Sequence, residues 1–149
     1  MILEYAKEEN VKELVRMSKE AFDSDVAVGA EEAGGPPEYD SLSWHQQMMH
    51  GGHLFQAIED GKLIGGALLF RDDRNTGIIN IGRIFVDPVQ FQKGYGVKIM
   101  QEIEKLDPRI TMLILDTPIW NRRTNQFYQK LGYREKRRDK EFVYYEKEV

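Results

Sequence analysis

The run from Ile84 to Val97 reads Ile-Phe-Val-Asp-Pro-Val-Gln-Phe-Gln-Lys-Gly-Tyr-Gly-Val and carries the clearest chemistry in the chain. A strand enters a loop, and Gly94 and Gly96 stand where a helix begins. Glycine lets a backbone turn and approach a ligand closely, and the first helical N–H groups point outward at the positive end of the helix dipole. Such a segment makes an anion cradle suited to a phosphate or pyrophosphate, with Lys93 as a supplementary charge. It is not a P-loop, because no Gly-Lys-Ser/Thr follows. It is not a dinucleotide fingerprint, because Met100 rather than a third glycine lies further on and no βαβ unit precedes.

A second segment, Leu115-Asp116-Thr117-Pro118-Ile119-Trp120-Asn121, leads into Arg122–Tyr133. Here a buried strand ends and a loop sets Asn121 at a helix start, with Tyr128 two turns further on. Asn121 reads as either a helix N-cap or a ligand contact. Tyr128 sits on the apolar stripe of its helix, where periodicity alone makes it a core aromatic. Three histidines, His45, His50 and His53, follow at intervals of five and three. Five residues turn a helix by roughly 140°, so these histidines do not converge on a metal, and no metal site is expected.

Ordered elements must hold these segments in place. Ile2–Tyr5 is a strand candidate. Asn10 with Glu13 three residues on has the capping-box pattern, and Val11, Leu14, Val15, Ser18 and Phe22 give an amphipathic helix. Ala27–Asp40, with Gly29, Gly34, Gly35, Pro36 and Pro37, reads as loop. Leu42–His50 forms a short helix. His53–Ile58 and Leu63–Phe70 are strands closed by the Asp60-Gly61 turn, and Ile78–Val86 is a third strand of that antiparallel set. Gly96, Ile99, Met100, Ile103 and Leu106 make a helical stripe ended by Asp107-Pro108. Thr111–Leu115 is continuously apolar, as in a strand buried on both faces. Thr124, Phe127, Tyr128 and Leu131 make the last stripe, closed by Gly132. Tyr133–Val149 is strand-like at both ends around the charged stretch Arg134–Lys140, a solvated hairpin. The expected fold is α/β, a single domain over 1–149 with a mixed, mostly antiparallel sheet flanked by helices.

Composition sets the outer bounds. The chain has 149 residues, 41% of them hydrophobic, and no cysteine. That excludes wholesale disorder, disulfides, a thiolate metal site and a cysteine nucleophile. No apolar run approaches membrane-spanning length and the first residues lack a signal-peptide pattern, so a cytoplasmic protein without a membrane partner is expected. The formal net charge of −4 hides a split. Residues 1–60 carry 4 Lys/Arg against 13 Asp/Glu, and residues 61–149 carry 17 against 12. The surplus in the second part is too thin for a nucleic-acid surface.

Taken together and in this order, the two segments resemble the GNAT superfamily of acyl-CoA-dependent N-acyltransferases. The family's coenzyme A loop, Gln/Arg-x-x-Gly-x-Gly/Ala after a Val-x-Pro strand end, is matched by Val86-Asp87-Pro88 and Gly94-Tyr95-Gly96. Its later motif is matched by Asn121, Thr124, Tyr128, Lys130, Gly132 and Tyr133. One position departs: Phe91 stands where the family has Gln or Arg, with Gln92 one place late, which implies altered phosphate binding.

The resemblance implies an N-acetyltransferase moving an acetyl group from acetyl-CoA to a primary amine within a ternary complex. Without cysteine no cysteinyl acyl-enzyme forms. It implies that the backbone of Ile84, Phe85 and Val86 pairs with pantetheine and donates to the carbonyl oxygen. It assigns Phe91, Gln92, Lys93, Gly94, Tyr95, Gly96 and Val97 to the phosphates, Asn121 to the pantetheine arm, and Tyr128 to protonating the thiolate. Relatives often carry a Glu before the loop, but Asn80-Ile81-Gly82-Arg83 offers none. Asp116 is the first candidate base, with a loop role or a water relay as alternatives. Val26–Asp40 holds Glu31, Glu32, Glu38 and Asp40 and no Lys or Arg. In the family fold it borders the acceptor pocket, where Glu31 and Glu32 would attract a cationic amine; a solvated loop is the alternative. The acceptor is a small-molecule or protein amine, and a homodimer is left open. A non-catalytic coenzyme A sensor of the same fold, and an interaction domain with a purely structural glycine loop, remain as competing readings.

Overall fold

The computed structural model describes residues 1–149. In chain order the elements are β1 (Ile2–Tyr5), α1 (Glu8–Asp23), α2 (Leu42–His50), β2 (Leu54–Glu59), β3 (Lys62–Arg71) and β4 (Ile78–Val86). Then come α3 (Tyr95–Glu104), β5 (Met112–Pro118), α4 (Arg122–Lys130), β6 (Arg134–Arg138) and β7 (Phe142–Glu148). Short 3-10 turns cover Ser24–Val28 and Pro88–Gln90. All seven strands join one sheet in the order β1-β2-β3-β4-β5-β7-β6. Only β4 and β5 run parallel; every other neighbouring pair is antiparallel.

Strand alternation sends apolar side chains to both faces of this sheet. Leu54 and Leu68 pack with Val11, Leu14 and Met17 of α1. Their chain neighbours Phe55, Ala67 and Leu69 face the opposite way, into a larger core with Ile99, Met100 and Ile103 of α3 and Tyr128 of α4.

Four expectations need correction. Lys7, not Asn10, is the cap residue of α1, and no side chain caps that end locally. Buried Gln56 on β2 accepts hydrogen bonds from the Lys7 N–H at 3.1 Å and from the Asn10 Nδ2 at 2.9 Å. A tertiary contact thus replaces the local cap. Helix α3 stops at Glu104, before Asp107-Pro108, as i→i+3 bonds tighten its last turn and leave Leu106 outside. Strand β5 extends to Pro118 and buries one face fully, with Leu113, Leu115 and Thr117, while Met112 and Ile114 are half-buried. The charged stretch is itself strand β6, exposed along its whole length at the sheet edge. Charge at an edge discourages pairing with a second sheet, so the solvated hairpin expected there carries its charges on an edge strand paired to β7.

Two irregularities of β4 shape the site. Leu68 pairs with Arg83 and Leu69 with Ile81, so Gly82 is an extra residue in β4, a β-bulge. A bulge shifts side-chain parity. Before it, Ile79 and Ile81 belong to the α3 side; after it, Phe85 belongs to the α1 side, with Ile84 and Val86 against the α3 side. The second irregularity is the short partnership with β5, which covers only Ile78–Asn80 against Met112–Ile114. Beyond Asn80 the two strands separate, and the sheet opens.

Candidate active site

The opening between β4 and β5 is a cleft of about 1180 Å3. One wall is the backbone of Ile81–Val86, whose far edge is held by β3 and whose near edge has no strand partner. At the end of β4 the chain is fixed by Asp87, which is buried, accepts from the Val89 N–H at 3.3 Å and takes the Arg16 guanidinium at 2.8 Å. The Asp87 N–H in turn donates to the Ile64 carbonyl at 2.9 Å. The loop then turns through Gln92 at φ 66° and Gly94 at φ 78° into α3. Left-handed backbone at Gly94 is the conformation glycine adopts without penalty. No side chain caps α3 there, and no backbone bond uses the N–H groups of Tyr95, Gly96 and Val97. Those donors are available to an anion.

Of the residues assigned to coenzyme A, Ile84, Phe85, Val86, Phe91, Gln92, Gly94, Tyr95, Gly96, Val97 and Asn121 all line this one cleft. Lys93 does not; its Nζ donates to the Gln90 Oε1 at 2.9 Å instead. Phe91 packs toward the α1 side and carries the Arg123 guanidinium 5.4 Å above its ring. The loop therefore has an arginine over the position where the sequence lacks one.

Asn121 is the N-cap of α4, 2% exposed, with its Oδ1 accepting from the Thr124 N–H at 3.1 Å. Its Nδ2 donates to Asp25 at 3.4 Å, so both ends of the side chain are engaged within the protein. The cap reading is thus realised, on a side chain that also lines the cleft. Asp25, 8% exposed, also takes Arg123 at 2.7 Å. Burial pushes the Asp25 carboxyl upward, with Arg123 opposing. Sequence reasoning missed Asp25, because its partners lie nearly a hundred residues away and Ser24-Asp25 matches no motif.

Tyr128 is 7% exposed and lines the cleft. Its ring meets Phe127 edge-on at 5.2 Å and Tyr133 at 5.8 Å. The neighbouring Tyr145 hydroxyl is taken up by Asn125 at 2.7 Å and Gln129 at 3.1 Å, whereas no side-chain bond occupies that of Tyr128. Burial first, and the Asp116 charge second, push the Tyr128 hydroxyl well above the ordinary phenol range. At neutral pH this group is an O–H donor. Asp116, paired through its backbone with Tyr144, also lines the cleft, and its carboxylate makes no hydrogen bond. Solvent reaches it, yet the surrounding protein displaces enough water to push its carboxyl upward; Asp139 adds to this and Arg137 opposes. A carboxylate raised in this way is a better proton acceptor.

Glu31 and Glu32, both exposed, border the same cleft from the segment after the first 3-10 turn. Arg83, which the sequence reading passed over, lines it from β4. No group of three or more His, Cys, Asp or Glu is placed to hold a metal ion. No helix is long and apolar enough to cross a membrane.

This geometry has counterparts among known proteins. Residues 11–133 match the acetyltransferase (GNAT) family. No curated protein matches the chain in sequence. An N-acetyltransferase from Thermoplasma acidophilum, solved in complex with coenzyme A, superposes with a TM-score of 0.78 at 18% identity, covering 99% of this chain and 98% of its own. The ribosomal-protein-S18-alanine N-acetyltransferase of Escherichia coli gives 0.72 at 15% identity over 99% and 93%. A GNAT acetyltransferase from Streptococcus agalactiae gives 0.83 at 16% identity over 99% and 95%. The chain belongs to the GNAT acetyltransferase family, and its fold is the α/β fold of that family.

Proposed function

We propose that the protein transfers an acetyl group from acetyl-CoA to a primary amine directly, both substrates being held in the cleft at once. The observation that carries this reading is continuity. The unpartnered edge of β4 runs into a turn whose Gly94 is left-handed and then into the unused N–H groups of α3. An unpaired strand edge suits an extended amide-bearing chain such as pantetheine, and free helix amides suit the pyrophosphate. Coenzyme A, as found in the Thermoplasma acidophilum protein, has both parts in that order.

In the reaction the amine nitrogen bonds to the thioester carbon, and the C–S bond breaks. The β4 backbone supplies the donor to the carbonyl oxygen as charge develops there. Asp116, directly or through water, accepts the proton the amine must lose. The Tyr128 O–H donates to the departing sulfur and is restored from solvent. Without cysteine the chain has no thiol to carry the acetyl group between two half-reactions, which favours direct transfer.

Calorimetric titration with acetyl-CoA, followed by thiol release across a panel of amines, tests this reading. Saturable binding with amine-dependent thiol release is the expected result. Binding without release on any amine would leave a coenzyme A sensor, and no binding would defeat the assignment of the cleft.

A further inference from the structure

Arg83 follows the bulge residue Gly82 on β4 and is drawn by the parity shift to the α1 side of the sheet, where it reaches the cleft. Its guanidinium lies 4.9 Å from the centre of the Trp44 ring, and Nη2 donates to the Pro37 carbonyl at 3.0 Å. The other donors are idle: Nε and Nη1 are both sealed from solvent and neither has a hydrogen-bond partner. No carboxylate forms an ion pair with this arginine. Desolvation alone governs the group and lowers its pKa to about 10. Of its neighbours, His45 is held toward its neutral form, by burial first and with Arg83 contributing.

A half-buried cation whose Nε and Nη1 are sealed without partner or counter-charge is costly to hold, and a ligand that supplied both would offset that cost. The guanidinium geometry says which ligand. Nη2 has two N–H bonds, one in the fork with Nε and one in the fork with Nη1. Pro37 occupies one of them, so one fork is left complete, and a planar carboxylate fits such a fork with two parallel hydrogen bonds. Glu31 and Glu32 line the same cleft and bring negative charge. One cleft thus presents a half-buried cation and exposed anions, the complement of a zwitterion.

We infer that the acceptor is an amine that also carries a carboxylate, an amino-acid-like molecule whose carboxylate is held by Arg83 while Glu31 and Glu32 draw in its ammonium end. Because Nε and Nη1 are sealed, the carboxylate reaches the fork that Pro37 leaves free as the Pro36–Pro37 segment gives way. Arg83 is then a residue of acceptor specificity, and this rests on the acetyl-transfer reading above.

The test pairs each amino acid of an α-, β- and γ-amino acid panel with its own carboxamide, which keeps the amine and removes the negative charge. The wild type is expected to acetylate one or more acids at least about tenfold more efficiently than the matching amide. Arg83→Met should lower kcat/KM for the acid by on the order of 30-fold or more, the loss expected on truncating one partner of a buried charge pair. It should leave the amide and the KM for acetyl-CoA within about threefold, and Arg83→Lys should fall between. Equal use of acid and amide by the wild type, a comparison that needs no variant, overturns the inference. So does an Arg83→Met variant, folded by its melting curve, that loses both substrates alike. A separate titration of the coenzyme A-loaded protein with N-acetyl amino acids and their amides reads carboxylate recognition without turnover. Absence of any acetylation defeats the transfer reading; an acid that binds no better than its amide in that titration defeats the role of Arg83.

Discussion

Replacing Tyr128 by Phe removes one oxygen and nothing else from the cleft wall, which makes it the sharpest probe of the mechanism. The ring is packed by Phe127, Tyr133 and Tyr145, and Phe keeps those contacts. The hydroxyl has no side-chain partner, so its loss leaves nothing in the protein newly unpaired. The cost in stability is therefore well below the about 1–3 kcal/mol of an orphaned buried group. Tyr145→Phe is the matched control. It deprives Asn125 and Gln129 of their shared partner and should cost about 1–2 kcal/mol, with no proton donor removed from the cleft. Activity should divide the other way. A positioned acid contributes about 10²–10⁴-fold, and because a thiolate is a good leaving group, the loss in Tyr128→Phe should sit at or below the low end. Acetyl-CoA affinity should not change. Steady-state thiol release from pH 6 to pH 9, alongside melting curves of both variants, separates the two effects. A Tyr128→Phe enzyme with kcat within a few-fold of wild type throughout that range would refute the proton-donor role and leave Tyr128 to the core.

Gly94→Glu should abolish acetyl-CoA binding by calorimetry, because a carboxylate meets the free α3 amides. A side chain there has open space within 4 Å, so the φ of 78° sets its cost in stability, about 1–2 kcal/mol. Reversing Glu31 and Glu32 to Lys should raise the KM of a cationic acceptor and leave that of acetyl-CoA unchanged; an equal rise in both would assign the pair to folding. Asp116→Asn should remove the acid limb of the pH–rate profile. A raised carboxyl must lose its proton to act as base, so wild-type activity falls as pH drops through the raised value. The stability sign is the reverse: a carboxyl raised on folding favours the native state at acid pH and loses that advantage as pH rises through the folded value. Asp116→Asn should therefore flatten that part of the stability–pH curve, and an unchanged curve would show that Asp116 is not desolvated.

Which parts of the fold were legible in the sequence follows from how local their causes are. Ile78–Val86 was delimited to the residue, because alternation and a following Asp-Pro turn are both local signals. The Leu42–His50 helix was equally clear, and Ser41 caps it by accepting from the Trp44 N–H at 3.1 Å. The start of α1 is not legible locally, because Gln56, which completes it, lies on a strand 46 residues beyond Asn10. At the site, the residues assigned to coenzyme A, Lys93 excepted, converge on the cleft together with Asp116 and Tyr128. Asp25 and Arg83 were invisible as site residues for different reasons. Asp25 acts through pairings remote in sequence, and Arg83 owes its place to a one-residue bulge that alternation cannot reveal.

That bulge joins the two halves of the site. A regular β4 would keep Ile81, Arg83 and Phe85 on one face, and the cation would enter the large apolar core with Ile81. The extra residue at Gly82 sends Ile81 to the α3 side and Phe85 to the α1 side within a few residues, and it does so just past the point where β5 departs. Downstream of the bulge the strand's free edge faces the cleft, while Arg83 reaches the same cleft beneath the Pro37 carbonyl. On the proposed reading the backbone edge suits the thioester-bearing chain and the side chain suits the acceptor, so the bulge and the departure of β5 together would set both substrates on adjoining stretches of β4. Phe91 follows the same logic at the other end. It packs toward α1, and Arg123, held by Asp25 at 2.7 Å, lies across it. A guanidinium from α4 thus lies over the loop at the position where the loop's own sequence has none.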